Sequence, residues 1–108
     1  MSNISLSERY KVYHAHDPLA MVFPSAENWQ ADRGSRFTHV ATVEASTLEE
    51  VFTITNHGAT DWTNKPEVVW LAVQFHRSTS VGDVIVSTMS GQSWLVSPRG
   101  FSSIPQDL

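Results

Sequence analysis

The stretch FTHVATVEASTLEEVFTITNHG, Phe37 to Gly58, changes its periodicity half-way along, and that change decides the fold class. From Phe37 to Ala45 the residues alternate, with Phe37, His39, Ala41 and Val43 on one side and Thr38, Val40, Thr42 and Glu44 on the other, as a pleated strand requires. Ser46 is then followed three residues later by Glu49, the spacing of a capping box, and Leu48, Val51, Phe52 and Thr55 recur at helical spacing. Asn56-His57-Gly58 supplies a C-terminal stop. The pattern predicts a helix from about Thr47 to Asn56 whose stripe at Leu48, Val51 and Phe52 lies on a sheet.

Strand patterns continue on both sides of this helix. Upstream, YKVYHAH (Tyr10 to His16) alternates, until Asp17-Pro18 breaks it because proline has no amide to donate. LAMVF reads as a short apolar strand before Pro24, and in the polar segment from Pro24 to Arg36 Ser25 is placed to cap one or two helical turns. Downstream, VVWLAVQF (Val68 to Phe75) is almost wholly apolar and rich in β-formers, which predicts a strand buried on both faces. VGDVIVST (Val81 to Thr88) and SWLVS (Ser93 to Ser97) flank the glycine-containing link MSGQ and read as an antiparallel hairpin. The tail FSSIPQDL has no clear period. Strands around one strong helix predict an α+β fold: a small, mostly antiparallel sheet with one well-capped helix packed on it.

Composition bounds the rest. A chain of 108 residues, 41% hydrophobic, suits one compact domain over residues 1–108, burying roughly 65% of its extended surface. Its termini, about residues 1–8 and 105–108, are expected to be mobile. Zero cysteines exclude a disulfide scaffold and cysteine-ligated zinc, and fit a reducing compartment. No apolar run approaches the length of a membrane span and no export signal opens the chain, so the expectation is a soluble cytoplasmic protein. The net charge of −4 lacks the basic stripe of a general nucleic-acid binder. An apolar strand in so short a chain suggests that a sheet face is shared in a homodimer or larger homo-oligomer.

The chemistry-bearing residues concentrate in HRSTSVGDVIV, His76 to Val86. Arg77 offers a planar fork of donors, Ser78, Thr79 and Ser80 add hydroxyls and amides, and Gly82 permits close backbone approach, which together equip the stretch for an anion or a phosphate. Arg99, and also Arg36, are further cations near patterned segments. The plainer reading is a turn into a strand, with Asp83 bonding nearby backbone amides. No lysine follows the glycine at Walker spacing. In the loop after the helix, Trp62 and Asn64 are suited either to stacking on a base and reading its edge, or, for Trp62, to closing one end of the core. His14 and His16 flank Ala15 on one strand face beside Asp17, but no third metal ligand is identifiable. No nucleophile elbow frames any serine. Neither metal, cofactor nor catalysis is expected.

The series STLEEVFTITNHG, DWTNKPEV, RSTSVGDVIV and WLVSPRGF resembles a group of small uncharacterised phage, plasmid and other mobile-element proteins related to the YodL-like domain. The resemblance spans roughly Phe37 to Ile104 and departs from the pattern at Lys65, which separates Asn64 from Pro66. It implies a small mobile-element protein that acts by occupying something. The expected function is non-catalytic sequestration of a nucleotide-type signal, such as a cyclic nucleotide or cyclic ADP-ribose derivative made by an antiphage defence system. Arg77, Ser78, Thr79 and Ser80 would then hold the phosphates while Trp62 and Asn64 meet a base, with Asp83 and Arg99 counted among the ligand-binding residues. The alternative is a protein–protein inhibitor or accessory factor with no small ligand.

Overall fold

A computed structural model describes residues 7–16, 36–56, 62–72, 78–98 and 100–104. Among the described residues six strands form one antiparallel sheet: β1 (Glu8–Ala15), β2 (Phe37–Ala45), β3 (Val68–Leu71), β4 (Val84–Ser87), β5 (Ser93–Ser97) and β6 (Gly100–Ile104), in the order β3-β2-β1-β4-β5-β6. Among the described residues a helix, α1 (Leu48–Thr55), packs on it, and a 3-10 turn spans Trp62–Asn64. This is the α+β sheet-and-helix arrangement that the change of period predicts. The LAMVF segment, the turns placed after Ser25 and both extreme termini lie outside the described residues, while β1 already begins at Glu8. Among the described residues no helix is long and apolar enough to cross a membrane.

The helix starts one residue later than the Ser46–Glu49 spacing suggests. Thr47 is the N-cap, its Oγ1 accepting the Glu50 N–H at 3.1 Å, and the Glu50 carboxylate accepts the Ser46 N–H at 2.6 Å. Glu50 is thus bonded in both directions, its N–H to the Thr47 cap and its carboxylate to the Ser46 N–H just before it, a variant of the capping box that satisfies two amide donors at the helix start. Thr47→Ala should lower stability by about 1 kcal/mol, read from the urea midpoint, whereas Glu49→Gln should leave it nearly unchanged. The buried residues of α1 are Val51, Ile54 and Thr55; Leu48 and Phe52 are only partly covered, so Phe52 rims the core where the sequence pattern predicts a central contact.

A bulge divides β2 between the two faces of the sheet. The β1–β2 register slips at Val12/Tyr13, so that Val12 opposes Ala41 while Tyr13 opposes His39, and Val40 is the extra residue. Ala41 and Val43 consequently face α1 with Val12, Ile85 and Val96, whereas Phe37 joins Ala15, Val84 and Ile104 in a second cluster. Strict alternation from Phe37 to Val43 therefore does not hold.

Two further expectations change. β3, Val68–Leu71, is the described part of the VVWLAVQF run, Val73 to Phe75 lying outside the described residues; it stands at the edge of the sheet among the described residues, with Val69 and Trp70 41% and 47% exposed, so this part is not buried on both faces. The start of the tail, by contrast, is ordered into β6, which pairs with β5 across the two-residue connection between Ser97 and Gly100. The Val84–Ser87 and Ser93–Ser97 hairpin forms as the pattern requires, with Val84 opposite Leu95.

On the face away from α1, His39 is stacked between Tyr13 and Trp70, with ring centroids 5.1 and 4.5 Å away. Its Nε2–H donates to the Ala41 carbonyl, 3.1 Å away, since that oxygen can only accept. Burial, then the positive charge of Lys11, hold the His39 pKa below the usual histidine value, the Ala41 bond partly opposing them. The folded chain therefore resists a proton that the unfolded chain accepts. The associated stability is complete above the unfolded pKa of about 6.5 and is lost as pH falls through the lower folded value. Unfolding midpoints measured from pH 8 to 5 should drop on the acid side, and the drop should be shallower in His39→Asn.

Candidate functional site

The Ser78–Asp83 loop is held from three directions. At its end Asp83 is fully buried, its Oδ1 accepting the Ala15 N–H and its Oδ2 the Ser80 N–H, both at 2.8 Å. The Asp83 N–H in turn donates to the Ser80 carbonyl at 3.1 Å, closing a tight turn through Val81 and Gly82. Gly82 has φ 98°, a conformation that suits glycine, and its N–H donates to the Val96 carbonyl at 2.9 Å while the Val96 N–H donates to the Asp83 carbonyl at 2.8 Å. Further along, Thr79 is clipped to the end of α1: its N–H donates to the Thr55 carbonyl at 3.0 Å, and its carbonyl accepts from Asn56 Nδ2. The Thr79 hydroxyl is also buried, 2.9 Å from His14 Nε2.

That places His14, Thr79 and Asp83 in one interior cluster. Both the hydroxyl and the carboxylate approach the same ring nitrogen, Asp83 Oδ2 lying 3.9 Å from His14 Nε2. A catalytic triad needs the acid on one imidazole nitrogen and the nucleophile on the other, with the nucleophile open to substrate. Here Thr79 is sealed from solvent and both Asp83 oxygens serve backbone amides, so the cluster's evident work is to fix the loop. His16 bonds elsewhere, its Nε2 lying 2.7 Å from Thr38 Oγ1, and among the described residues no three histidine or acidic side chains converge on a metal position.

The remaining sequence candidates are distributed unevenly. Trp62 is 2% exposed, belongs to the core under α1 and meets His14 edge-on, centroids 6.3 Å apart. The core-closing role is therefore the one its position serves, and its ring offers no open face for a base. Thr79 and Asp83 are likewise interior, Ser78 and Ser80 are half-buried, and Asn64 ends the 3-10 turn. Arg77 and Arg99 lie outside the described residues.

Beside the clamped loop opens a groove of about 380 Å³. Glu49, Phe52 and Thr53 of α1 form one wall, Val81 of the loop closes one end, and Val96, Ser97, Pro98, Gly100 and Phe101 of the β5–β6 hairpin form the other wall. Phe52 and Phe101 meet edge-to-face with centroids 6.4 Å apart. The lining is mainly apolar, with the Thr53 and Ser97 hydroxyls and one carboxylate, Glu49, at its rim. Gly100 sits at φ 136°, where a side chain would be strained, so the hairpin wall depends on glycine there. None of these lining residues was a sequence candidate. The available signals were the i, i+3, i+4 spacing of Glu49, Phe52 and Thr53 and the Pro98-Arg99-Gly100 turn, but only the tertiary fold brings them together.

Compared with known protein families, curated proteins and solved structures, the chain matches none.

Proposed function

We propose that this chain is a non-catalytic binding protein of a phage or other mobile element, of the YodL-like kind, that sequesters a nucleotide-type signalling molecule in the groove between α1 and the β5–β6 hairpin. The observation that carries the reading is the groove itself: its volume falls in the range of small-molecule sites, and its apolar walls with few polar groups suit a flat ring. Phe52, Phe101 and Pro98 would contact the base, and the Glu49 carboxylate would accept hydrogens from a sugar hydroxyl or exocyclic amine. Glu49 repels phosphate, which directs the anionic end away from α1. The cations that the sequence offers for it are Arg77, preceding the clamped loop, and Arg99, between Pro98 and Gly100.

The test is direct. Protein purified from cells that carry a cyclic-nucleotide or cyclic ADP-ribose defence system should release a nucleotide on heating. Phe101→Ala should weaken rebinding of that nucleotide by about 10- to 100-fold in calorimetry, the equivalent of one lost stacking contact. Arg77→Ala should abolish binding, with Arg77→Lys restoring part of it, because a point charge cannot reproduce the guanidinium fork. Release of nothing would leave the protein–protein inhibitor as the working alternative, and full binding by Phe101→Ala would remove the groove from consideration.

A further inference from the structure

Among the described residues that line the groove between α1 and the β5–β6 hairpin, Glu49 is the one ionisable group, and the fold does not use its carboxylate. Other acids are engaged. Glu50 accepts the Ser46 N–H, Glu44 lies 3.8 Å from Arg9, Glu8 accepts from Tyr10 and Ser87, and Asp83 holds two backbone amides. Among the described residues the Glu49 side chain has neither a hydrogen bond nor an ion pair, and the Thr53 hydroxyl, one turn further along the same wall, has no partner either. The Ser97 hydroxyl on the opposite wall, by contrast, lies 2.7 Å from Ser102 Oγ.

The position of that carboxylate limits what it can recognise. Glu49 precedes Phe52 by three residues, so their side chains are neighbours on one helix face, and a ring lying on Phe52 turns an edge towards the carboxylate. Charge selects the edge. A carboxylate repels phosphate, and in a purine nucleotide the sugar and phosphate hang from the five-membered ring, so the Watson–Crick edge at the far end of the six-membered ring is the one presented to Glu49. A ribose hydroxyl, which lies beside the phosphate, is the less favourable partner. On the Watson–Crick edge guanine offers two parallel donors, N1–H and the 2-amine, to a group whose two oxygens only accept. Adenine sets one donor beside the lone pair of its N1, and uracil sets one between two carbonyls. Guanine alone satisfies both oxygens, and it places its O6 acceptor next in line.

We infer that the groove selects guanine: Glu49 accepts N1–H and one hydrogen of the 2-amine, the Thr53 hydroxyl donates to O6, and Phe52, Phe101 and Pro98 enclose the ring. This rests on the nucleotide reading of the groove and narrows it to guanine-bearing nucleotides. An arginine side chain carries the same fork of donors, but it lacks the flat bicyclic ring that would fill walls built from two phenylalanines and a proline.

Calorimetric titration of the full chain with cyclic GMP, cyclic IMP and cyclic AMP, each up to millimolar concentration, tests this. The wild type should bind cyclic GMP at least about 10-fold tighter than cyclic AMP, with cyclic IMP, which keeps N1–H but lacks the 2-amine, in between. Glu49→Gln exchanges one acceptor for a donor and so matches the alternation on adenine; it should bind cyclic AMP better than cyclic GMP. Thr53→Val should weaken cyclic GMP and cyclic IMP alike, by about 3- to 10-fold, since both carry O6. Urea midpoints of both variants near wild type confirm that the changes belong to the groove. Equal affinity for all three nucleotides, unaltered by Glu49→Gln, would overturn guanine selection and leave a nucleotide groove. Binding of none of them would remove the nucleotide reading and guanine selection together, and N-acetylarginine amide binding as tightly as cyclic GMP would reassign Glu49 to an arginine of a protein partner.

Discussion

Asp83→Ala should unfold at a urea midpoint well below wild type, with a stability loss of about 3–5 kcal/mol and a Tm lower by at least about 10 °C. The size follows from what its carboxylate holds. The amide donors of Ala15, from a strand 68 positions away in sequence, and of Ser80, within its own turn, converge on a side chain with no solvent exposure. Removing it strands both donors, each at about 1–3 kcal/mol, and loosens the turn that sets Val81 against the groove. Asp83→Asn retains the volume but exchanges one acceptor for a donor facing an N–H group, so it should lose about 2–3 kcal/mol, less than alanine yet far more than a surface change. Arg77→Ala, in contrast, should act on ligand binding and leave the midpoint near wild type. If Asp83→Ala and Arg77→Ala shifted the midpoint equally, the division of the RSTSVGD stretch into a structural acid and a ligand-facing cation would fail.

The elements most legible in the sequence were those specified by neighbours along the chain. A period of two marks β1 and β2, a period of 3.6 marks α1, and a short glycine link marks the β4–β5 hairpin. The one-residue displacement of the cap was beyond local reading, because Ser46 with Glu49 and Thr47 with Glu50 have the same spacing and both are competent. Strand order was less accessible still. The apolar run at Val68 suggests a buried central strand, but hydrophobicity does not encode which neighbour a strand pairs with; Trp70 is accommodated at the edge by stacking on His39. The bulge at Val40, which transfers Phe37 and His39 to the other face, depends on β1 and leaves no local trace. β6 escaped notice because part of its attachment is polar: Gln92 Nε2 donates to the Ile104 carbonyl and Ser103 Oγ, and the Ser97 and Ser102 hydroxyls lie 2.7 Å apart.

For the site, the sequence is readable down to the structural roles open to Asp83 and Trp62 and no further. That Asp83 bonds nearby amides in a Ser-Val-Gly-Asp turn follows from turn chemistry. That His14 and Ala15 complete its surroundings does not, since β1 meets the turn only through long-range pairing with β4. The groove is harder again, its walls coming from a helix, a loop and a hairpin that share no motif.

Trp62→Ala separates an architectural from a ligand-facing tryptophan, and its expected effect matches that of Asp83→Ala. The indole is 2% exposed and packed in the cluster with Val51, Ile54 and Val12 beneath α1. Deleting it leaves a cavity bounded by the helix and the sheet, which costs about 3–5 kcal/mol because close-packed walls relax only partly. Trp62→Phe restores most of the apolar volume and should recover more than half of that loss. The decisive feature is how the effect combines with ligand. A core residue lowers stability by the same amount with and without saturating ligand, and the folded fraction that remains binds with wild-type affinity. A base-stacking residue does the opposite, leaving the ligand-free midpoint unchanged and weakening affinity by about 10- to 100-fold. Denaturation with and without the released nucleotide therefore assigns Trp62, and a ligand-free midpoint unmoved by Trp62→Ala would take the residue out of the core and return it to the binding surface.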